Sequence, residues 1–170
     1  MTTASTDFNL STVFATVAEA LPHHTMLVWR NRRLTYADVN ARVDGFARYL
    51  VSAGLGCHTE RDQLAGHESG QDHLALYLRN GNEYLEAMLG SYRARVAPFN
   101  CSYRYLDAEL LYLLDDARAT AVVYNAEFAP RIAAIRDKLP HLTTLIQVAD
   151  ESGNELLSGA VDYESTLTST

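Results

Sequence analysis

The sequence is short of the residues that carry much enzyme chemistry. Cysteine occurs twice in 170 residues, as Cys57 and Cys101, and neither sits in a Cys-x-x-Cys pair or at metal-ligand spacing from histidine or aspartate. An even count leaves one disulfide formally open. The opening MTTASTDFNL, however, has neither the basic region nor the apolar run of a secretory signal, so a cytoplasmic protein with reduced thiols is expected. The histidines do not help: His23-His24 follow a helix end, and His58, His67 and His73 scatter through a polar stretch. A zinc site wants two or more ligands fixed on one element, so no metal is expected here. Positive charge is scarce too. Fourteen Lys and Arg against 21 Asp and Glu give a net charge of −7 and a pI near 5.3. That balance argues against a broad basic footprint for nucleic acid or an anionic membrane. No run approaches the ~20 apolar residues of a membrane helix.

Phosphate cradles are missing as well. The chain has no Gly-x-Gly-x-x-Gly after a strand, no Gly-x-x-x-x-Gly-Lys-[Ser/Thr], and no Gly-x-Ser-x-Gly elbow. The usual dinucleotide, P-loop and α/β-hydrolase sites are therefore excluded on motif grounds. The acid pairs Asp115-Asp116 and Asp150-Glu151 fall at a helix end and in a loop, where they read as structural or solvated.

What is present is the material of one globular domain. Apolar residues make up 48% and charged residues 21%, far from a disordered composition. Ser11 reads as the cap of a helix running to Leu21, ended by Pro22. Thr25–Arg30 and Arg33–Thr35 read as a small hairpin around Asn31-Arg32. Thr35 then caps a longer helix, with Asp38 three residues on and Gly54 as its stop. Residues Gly56–Asp72 lose all periodicity and read as a long loop. From His73 the rhythm is regular. Strands are expected at His73–Arg79, Val96–Phe99, Thr120–Tyr124 and Thr143–Val148, and helices at Glu83–Ala94 (capped by Asn82), Asp107–Ala117 and Glu127–Leu139. This is βαβαβαβ, an α/β fold with a doubly wound, mostly parallel sheet flanked by helices, preceded by the small helix and hairpin. Residues 149–170 read as a polar tail with no closing helix.

Two stretches resemble a known family. The run beginning LTYADV (Leu34, Thr35, Tyr36, Asp38-Val39) is similar to the opening "L-T-Y-x-E-L" helix of acyl-CoA synthetases. The run through Leu89-Gly90, Arg93-Ala94, Pro98-Phe99-Asn100 and Glu109-Leu110 resembles their "A-x-L-G-x-x-R-A-G-A-x-x-x-x-x-N" segment and the "E-E-L-x-Y-L-L" helix after it. Arg95-Val96 stands where the family usually has Gly-Ala. The likeness extends from Phe8 to Val148 and is nearest the fatty-acid–CoA ligases of mycobacteria, within the adenylate-forming superfamily.

The resemblance implies that residues 1–170 form the N-terminal subdomain of the large adenylation domain of a ligase. Such a ligase converts a fatty acid to acyl-AMP with ATP and Mg, then passes the acyl group to CoA. The family's Ser/Thr/Gly-rich phosphate loop, its ribose-binding acid and its C-terminal lid lysine are not among these residues. The segment alone is thus expected to be inactive and to bind none of these cofactors tightly. It would look to the remainder of the ligase as partner, or self-associate through the face left exposed. By alignment with the family, Ser102, Tyr103 and Arg104, with Arg131 at the start of a later helix, would lie at the rim of the CoA entrance. A helix N-terminus and an arginine together favour a phosphate. The residues alone leave this loop open as ordinary surface. Two other readings stand beside the ligase: a stand-alone nucleotide or small-ligand module, and a non-catalytic relative acting as an interaction protein.

Overall fold

The computed structural model describes residues 9–168; Phe8, where the resemblance begins, and the last two residues of the tail lie outside that range. Helix α1 (Leu10–Ala20) is capped by Asn9, whose Oδ1 accepts from the Thr12 amide at 3.0 Å while its own amide donates to Thr12 Oγ1 at 3.2 Å. Ser11, read as the cap, lies one residue inside the helix. Asn9 wins because both halves of a reciprocal box are available to it. Strands β1 (Thr25–Trp29) and β2 (Arg32–Thr35) form an antiparallel hairpin, with Arg30 at the turn in the left-handed region (φ 49°). Helix α2 (Tyr36–Ser52) starts with the Thr35/Asp38 box the sequence predicts. Beyond its end Gly54 takes φ 82°, which glycine adopts without steric cost.

The rest of the chain winds a five-stranded parallel sheet. Its strands are β3 (His73–Tyr77), β4 (Ala97–Asn100), β5 (Ala121–Asn125), β6 (Thr144–Val148) and β7 (Ala160–Asp162), in spatial order β4-β3-β5-β6-β7. Helices α3 (Asn82–Arg93), α4 (Asp107–Asp116) and α5 (Ala129–Ile135) make the crossovers, and α6 (Tyr163–Thr166) is a single turn after β7. Alternate strand residues face opposite layers, as a pleated strand requires. Leu74, Leu76, Val123 and Ile146 pack with Phe46 and Leu50 of α2, Ala87 of α3 and Tyr163 of α6. Ala75, Tyr77, Val122 and Tyr124 pack with Leu110 and Leu114 of α4 and Ile132 and Ile135 of α5. Both faces are covered, which is why the strands read as continuous apolar runs.

Three expectations need correction. The region after Val148, read as a polar tail with no closing helix, supplies β7 and α6; a three-residue edge strand carries too little apolar periodicity to be seen in sequence. The single helix expected at Glu127–Leu139 is broken into two 3-10 turns, 126–128 and 136–138, around α5. Pro130 has no amide to donate, so a helix begun at Glu127 would lose a bond one turn in, whereas Pro in the first turn of α5 costs nothing. Asn82 does not cap α3, because Gly81 holds that position. The Asn82 side chain turns inward instead. It donates to Glu86 Oε1 at 3.0 Å and accepts from Arg32 at 3.2 Å.

That inward turn belongs to a buried polar network. Glu86 is fully buried; its carboxylate accepts from Asn82, from Arg42 Nε at 2.8 Å and from Tyr163 Oη at 3.2 Å. Arg42 also grips Glu164 with both terminal nitrogens, at 2.9 and 2.6 Å. Burial opposes the charge on Arg42, but Glu164 and Glu86 outweigh it and hold the guanidinium firmly protonated. The network ties α2, α3 and α6 together. Gly45 lets the chain approach there: a Cβ on it would meet the Leu167 carbonyl oxygen at 2.2 Å.

Candidate functional site

In an open, doubly wound sheet, ligands sit outside the carboxyl ends of the strands, where the winding direction reverses. Here the chain goes from β3 to β4 on one side, and then to β5, β6 and β7 on the other. The reversal falls between β3 and β5. A cleft of about 830 Å³ opens at that edge, between Arg79 after β3, Asn125 at the end of β5, the Val148–Ser152 turn after β6 and the hairpin residues Trp29–Arg32.

Arginine and carboxylate pairs build its walls. Arg79 makes two parallel bonds to Glu127, at 2.5 and 2.9 Å, and its amide donates to Asn125 Oδ1 at 2.7 Å. The Glu127 bonds push the Arg79 pKa higher still. Asp150 accepts from the amides of Glu127 and Ser152, both at 2.8 Å. Its partial burial favours the neutral acid, but the Ser152 and Glu127 hydrogen bonds and Arg79 prevail and lower its pKa. At the mouth, Arg30 pairs with Glu151 at 2.7 Å; both side chains are well exposed, so the pair contributes little stability.

The loop between β4 and α4 forms one rim. Ser102 organises it: its Oγ accepts from the Arg104 amide at 3.3 Å and its carbonyl from the Tyr105 amide at 3.0 Å. Tyr103 is 39% exposed and lines the cleft. The guanidinium carbons of Arg79 and Arg104 lie 4.8 and 5.7 Å from the centre of its ring, within cation–π range. Three of the four residues chosen from the sequence therefore share one short loop. Arg131 is placed differently. It reaches under the loop from α5, and Nη1 donates to Tyr77 Oη at 2.8 Å and to the Tyr105 carbonyl at 2.6 Å.

Sequence reasoning missed Arg79, Glu127 and Tyr77. In the sequence Arg79 is the last residue of an expected strand, Glu127 the first residue of an expected helix and Tyr77 a position inside the strand, and nothing there sets them apart. The available signal was position: residues just past parallel strands flanking a reversal are site candidates whatever their motif. Among the described residues no cluster of three or more His, Cys, Asp or Glu is placed to hold a metal ion, and no helix is long and apolar enough to cross a membrane. Cys57 and Cys101 are both free.

Comparison with known proteins fixes the family. Residues 14–168 match the AMP-binding enzyme family. The chain belongs to that family. It is 56% identical over 169 residues to the medium-chain acyl-CoA ligase Mig of Mycobacterium avium, a match covering 99% of this chain and 31% of that protein. It is 28% identical over 160 residues to a medium/long-chain-fatty-acid–CoA/3-oxocholest-4-en-26-oate–CoA ligase of Mycobacterium tuberculosis, covering 94% of this chain and 27% of that one. The chain thus spans less than a third of the length of these curated relatives. In fold it resembles a benzoate CoA ligase from Burkholderia xenovorans, with a TM-score of 0.73 at 16% identity over 96% of this chain and 29% of that one. Coronafacic acid ligase from Pectobacterium brasiliense gives 0.79 at 12% identity, over 95% of this chain and 30% of that one. As expected from the sequence, the sheet is doubly wound and α/β.

Proposed function

We propose that the chain is the N-terminal subdomain of an ATP-dependent fatty-acid–CoA ligase, which activates a medium-chain fatty acid as its acyl-AMP and transfers the acyl group to CoA. The observation that carries this reading is the 56% identity to the Mig ligase across 99% of the chain. In this reading the subdomain contributes no chemistry of its own. Its residues include no glycine-rich phosphate cradle and, among those described, no metal-ligating cluster, so no step involving ATP or Mg is assigned to them. Its contribution is a rigid sheet that presents the β4–α4 loop. Ser102 shapes that loop, and Tyr103 and Arg104 form part of the rim past which CoA enters. An exposed tyrosine beside two guanidinium groups offers an aromatic face for an adenine and positive charge for a phosphate. Arg131 supports this rim from below.

A chimera tests the reading. This chain replaces the matching segment of the M. avium ligase, and octanoyl-CoA formation from octanoate, ATP and CoA is followed. A chimera that forms octanoyl-CoA at a rate within about tenfold of the parent is expected, the allowance being ~1.4 kcal/mol in the barrier. A soluble chimera that forms none overturns the ligase reading. The 170-residue chain by itself should release no AMP from ATP in the same mixture.

A further inference from the structure

The two arginines beneath the β4–α4 loop do something the loop's own residues cannot. Tyr77 on β3 is fully buried and packs at a tilt against the buried Phe128, ring centres 4.4 Å apart. The Tyr77 hydroxyl donates to the Tyr105 carbonyl at 2.9 Å. Arg131 Nη1 donates to both members of that pair, at 2.8 and 2.6 Å. The three groups close a triangle in which the carbonyl accepts twice, the hydroxyl donates once and accepts once, and one guanidinium nitrogen uses both of its hydrogens. Burial, partly offset by the bond from Arg131, pushes the Tyr77 hydroxyl up, so it remains a neutral donor. Arg79 holds the same loop at a second point. Its guanidinium is fixed by two bonds to Glu127 and lies against both Tyr103 and Phe128, 4.8 and 5.7 Å from the ring centres. Arg131 sits 5.8 Å from the same Phe128 ring.

We infer that Arg131 and Arg79 are positioning residues that lock the β4–α4 loop onto the sheet: Arg131 fixes the Tyr105 carbonyl directly and together with Tyr77, and Arg79, itself held by Glu127, fixes the Tyr103 ring. Charge alone does not explain the geometry. A solvated arginine would turn its fork to water, whereas Arg131 directs it at a buried hydroxyl and a backbone oxygen from a different element. Lysine would keep the charge and could donate twice from one nitrogen, but from a differently shaped, more strongly hydrated head group, so it would reproduce the contact only in part. Without these anchors the middle of the loop keeps its own turn bonds around Ser102, while its two ends are tied by the Cys101 amide to the Leu76 carbonyl and by the Leu106 amide to Glu109, each at 3.0 Å. The kinetic consequence, a rim held ready for CoA, rests on the ligase reading above; the mechanical assignment does not.

Hydrogen exchange on the 170-residue chain tests the mechanics. In Arg131→Met the amides of Arg104 and Tyr105 should exchange at least ~10-fold faster, since local opening sets their rates. Those of Val122–Tyr124 in β5 should keep their rates, and Arg131→Lys should recover part of the loss. Unchanged loop exchange in Arg131→Met overturns the inference. Should that variant fail to fold, Tyr77→Phe and Arg79→Lys serve: each removes one anchor and should speed the same amides, and no change in either again overturns it. In the chimera, Arg131→Met should raise the CoA KM about fivefold or more, the scale of losing one charge-assisted hydrogen bond. ATP–pyrophosphate exchange with octanoate, which reports adenylation alone, should hold steady. A faster loop with an unchanged CoA KM keeps the positioning assignment and overturns the CoA-rim reading.

Discussion

At the scale of single residues, Cys101 and Arg95 show how environment overrides type. Cys101 is 4% exposed, and burial pushes its thiol up to about 12. Only the thiolate attacks, so Cys101 should resist iodoacetamide at pH 8 while the protein is folded and label once it is unfolded in guanidinium. Mass spectrometry of the labelled peptides distinguishes it from the partly exposed Cys57. Arg95 occupies the position where the resemblance expects glycine, and its φ is 59°. Left-handed backbone costs a non-glycine residue about 1–2 kcal/mol. Here the side chain makes two bonds to Glu60, at 2.8 and 2.7 Å, though exposed pairs of this kind stabilise weakly. A β-branched residue would suffer most in this conformation. Arg95→Val should therefore be less stable than Arg95→Gly by about 1–2 kcal/mol, read from urea midpoints. The odd residue of the motif was visible in sequence; its strained backbone was not, because nothing local distinguishes a left-handed arginine from an extended one.

At the scale of elements, legibility followed local chemistry. The Thr35/Asp38 box and β3 through β6 were readable because each is set by caps, turns or apolar runs within a few residues. The β4–α4 loop was readable as a short connection for the same reason; its reading as a rim came from the family resemblance, since the residues alone leave it open as ordinary surface. What was not readable depends on distant partners. Asn82 left its cap because Glu86 and Arg32 offered a buried network, and α6 docks through Glu164 on Arg42 and through Tyr163 on Glu86. Arg79 and Glu127 lie 48 residues apart, and no spacing rule pairs them. The contact of α2 with α3 is a further long-range dependency. A Cβ on Gly90 would lie 2.8 Å from Phe46 Cδ1 and 3.2 Å from both its Cβ and the Val43 carbonyl oxygen. Overpacking typically costs about 1–3 kcal/mol, which should outweigh the ~1 kcal/mol that alanine gains over glycine in a helix. Gly90→Ala should thus lower stability, and Gly90→Ala combined with Phe46→Leu should recover part of the loss. Purely additive losses in the double variant would mean that the clash is not what the glycine avoids.

At the scale of the whole molecule, one ion network carries the closure of the chain. The sheet's far edge is β7, which pairs with β6 over three residues, and α6 behind it is a single turn, so each has few hydrogen bonds of its own. The attachment runs through Tyr163, buried against Phe46 at 5.4 Å between ring centres, and through the Arg42–Glu164 fork. The bonds from Arg42 lower the pKa of Glu164 against partial burial, and Arg32 adds to that effect. A carboxylate whose folded pKa lies below its ordinary value of 4.5 contributes its full stability above that pH. The contribution fades as pH falls through the folded pKa. The buried Glu86 sits on the other side of Arg42 and would then be the guanidinium's remaining carboxylate partner. Attachment of β7 and α6 should therefore weaken below about pH 4.5 before the central strands melt. Glu164→Gln should have a lower melting temperature than the parent at pH 7, and the gap should close as pH falls below 4.5 and the parent loses the same charge. Hydrogen exchange in 160–168 should follow this pattern while β5 stays protected. A gap that stayed constant across that range would mean Glu164 acts through packing rather than charge, and that the chain's last strand is held by the buried ring of Tyr163 instead.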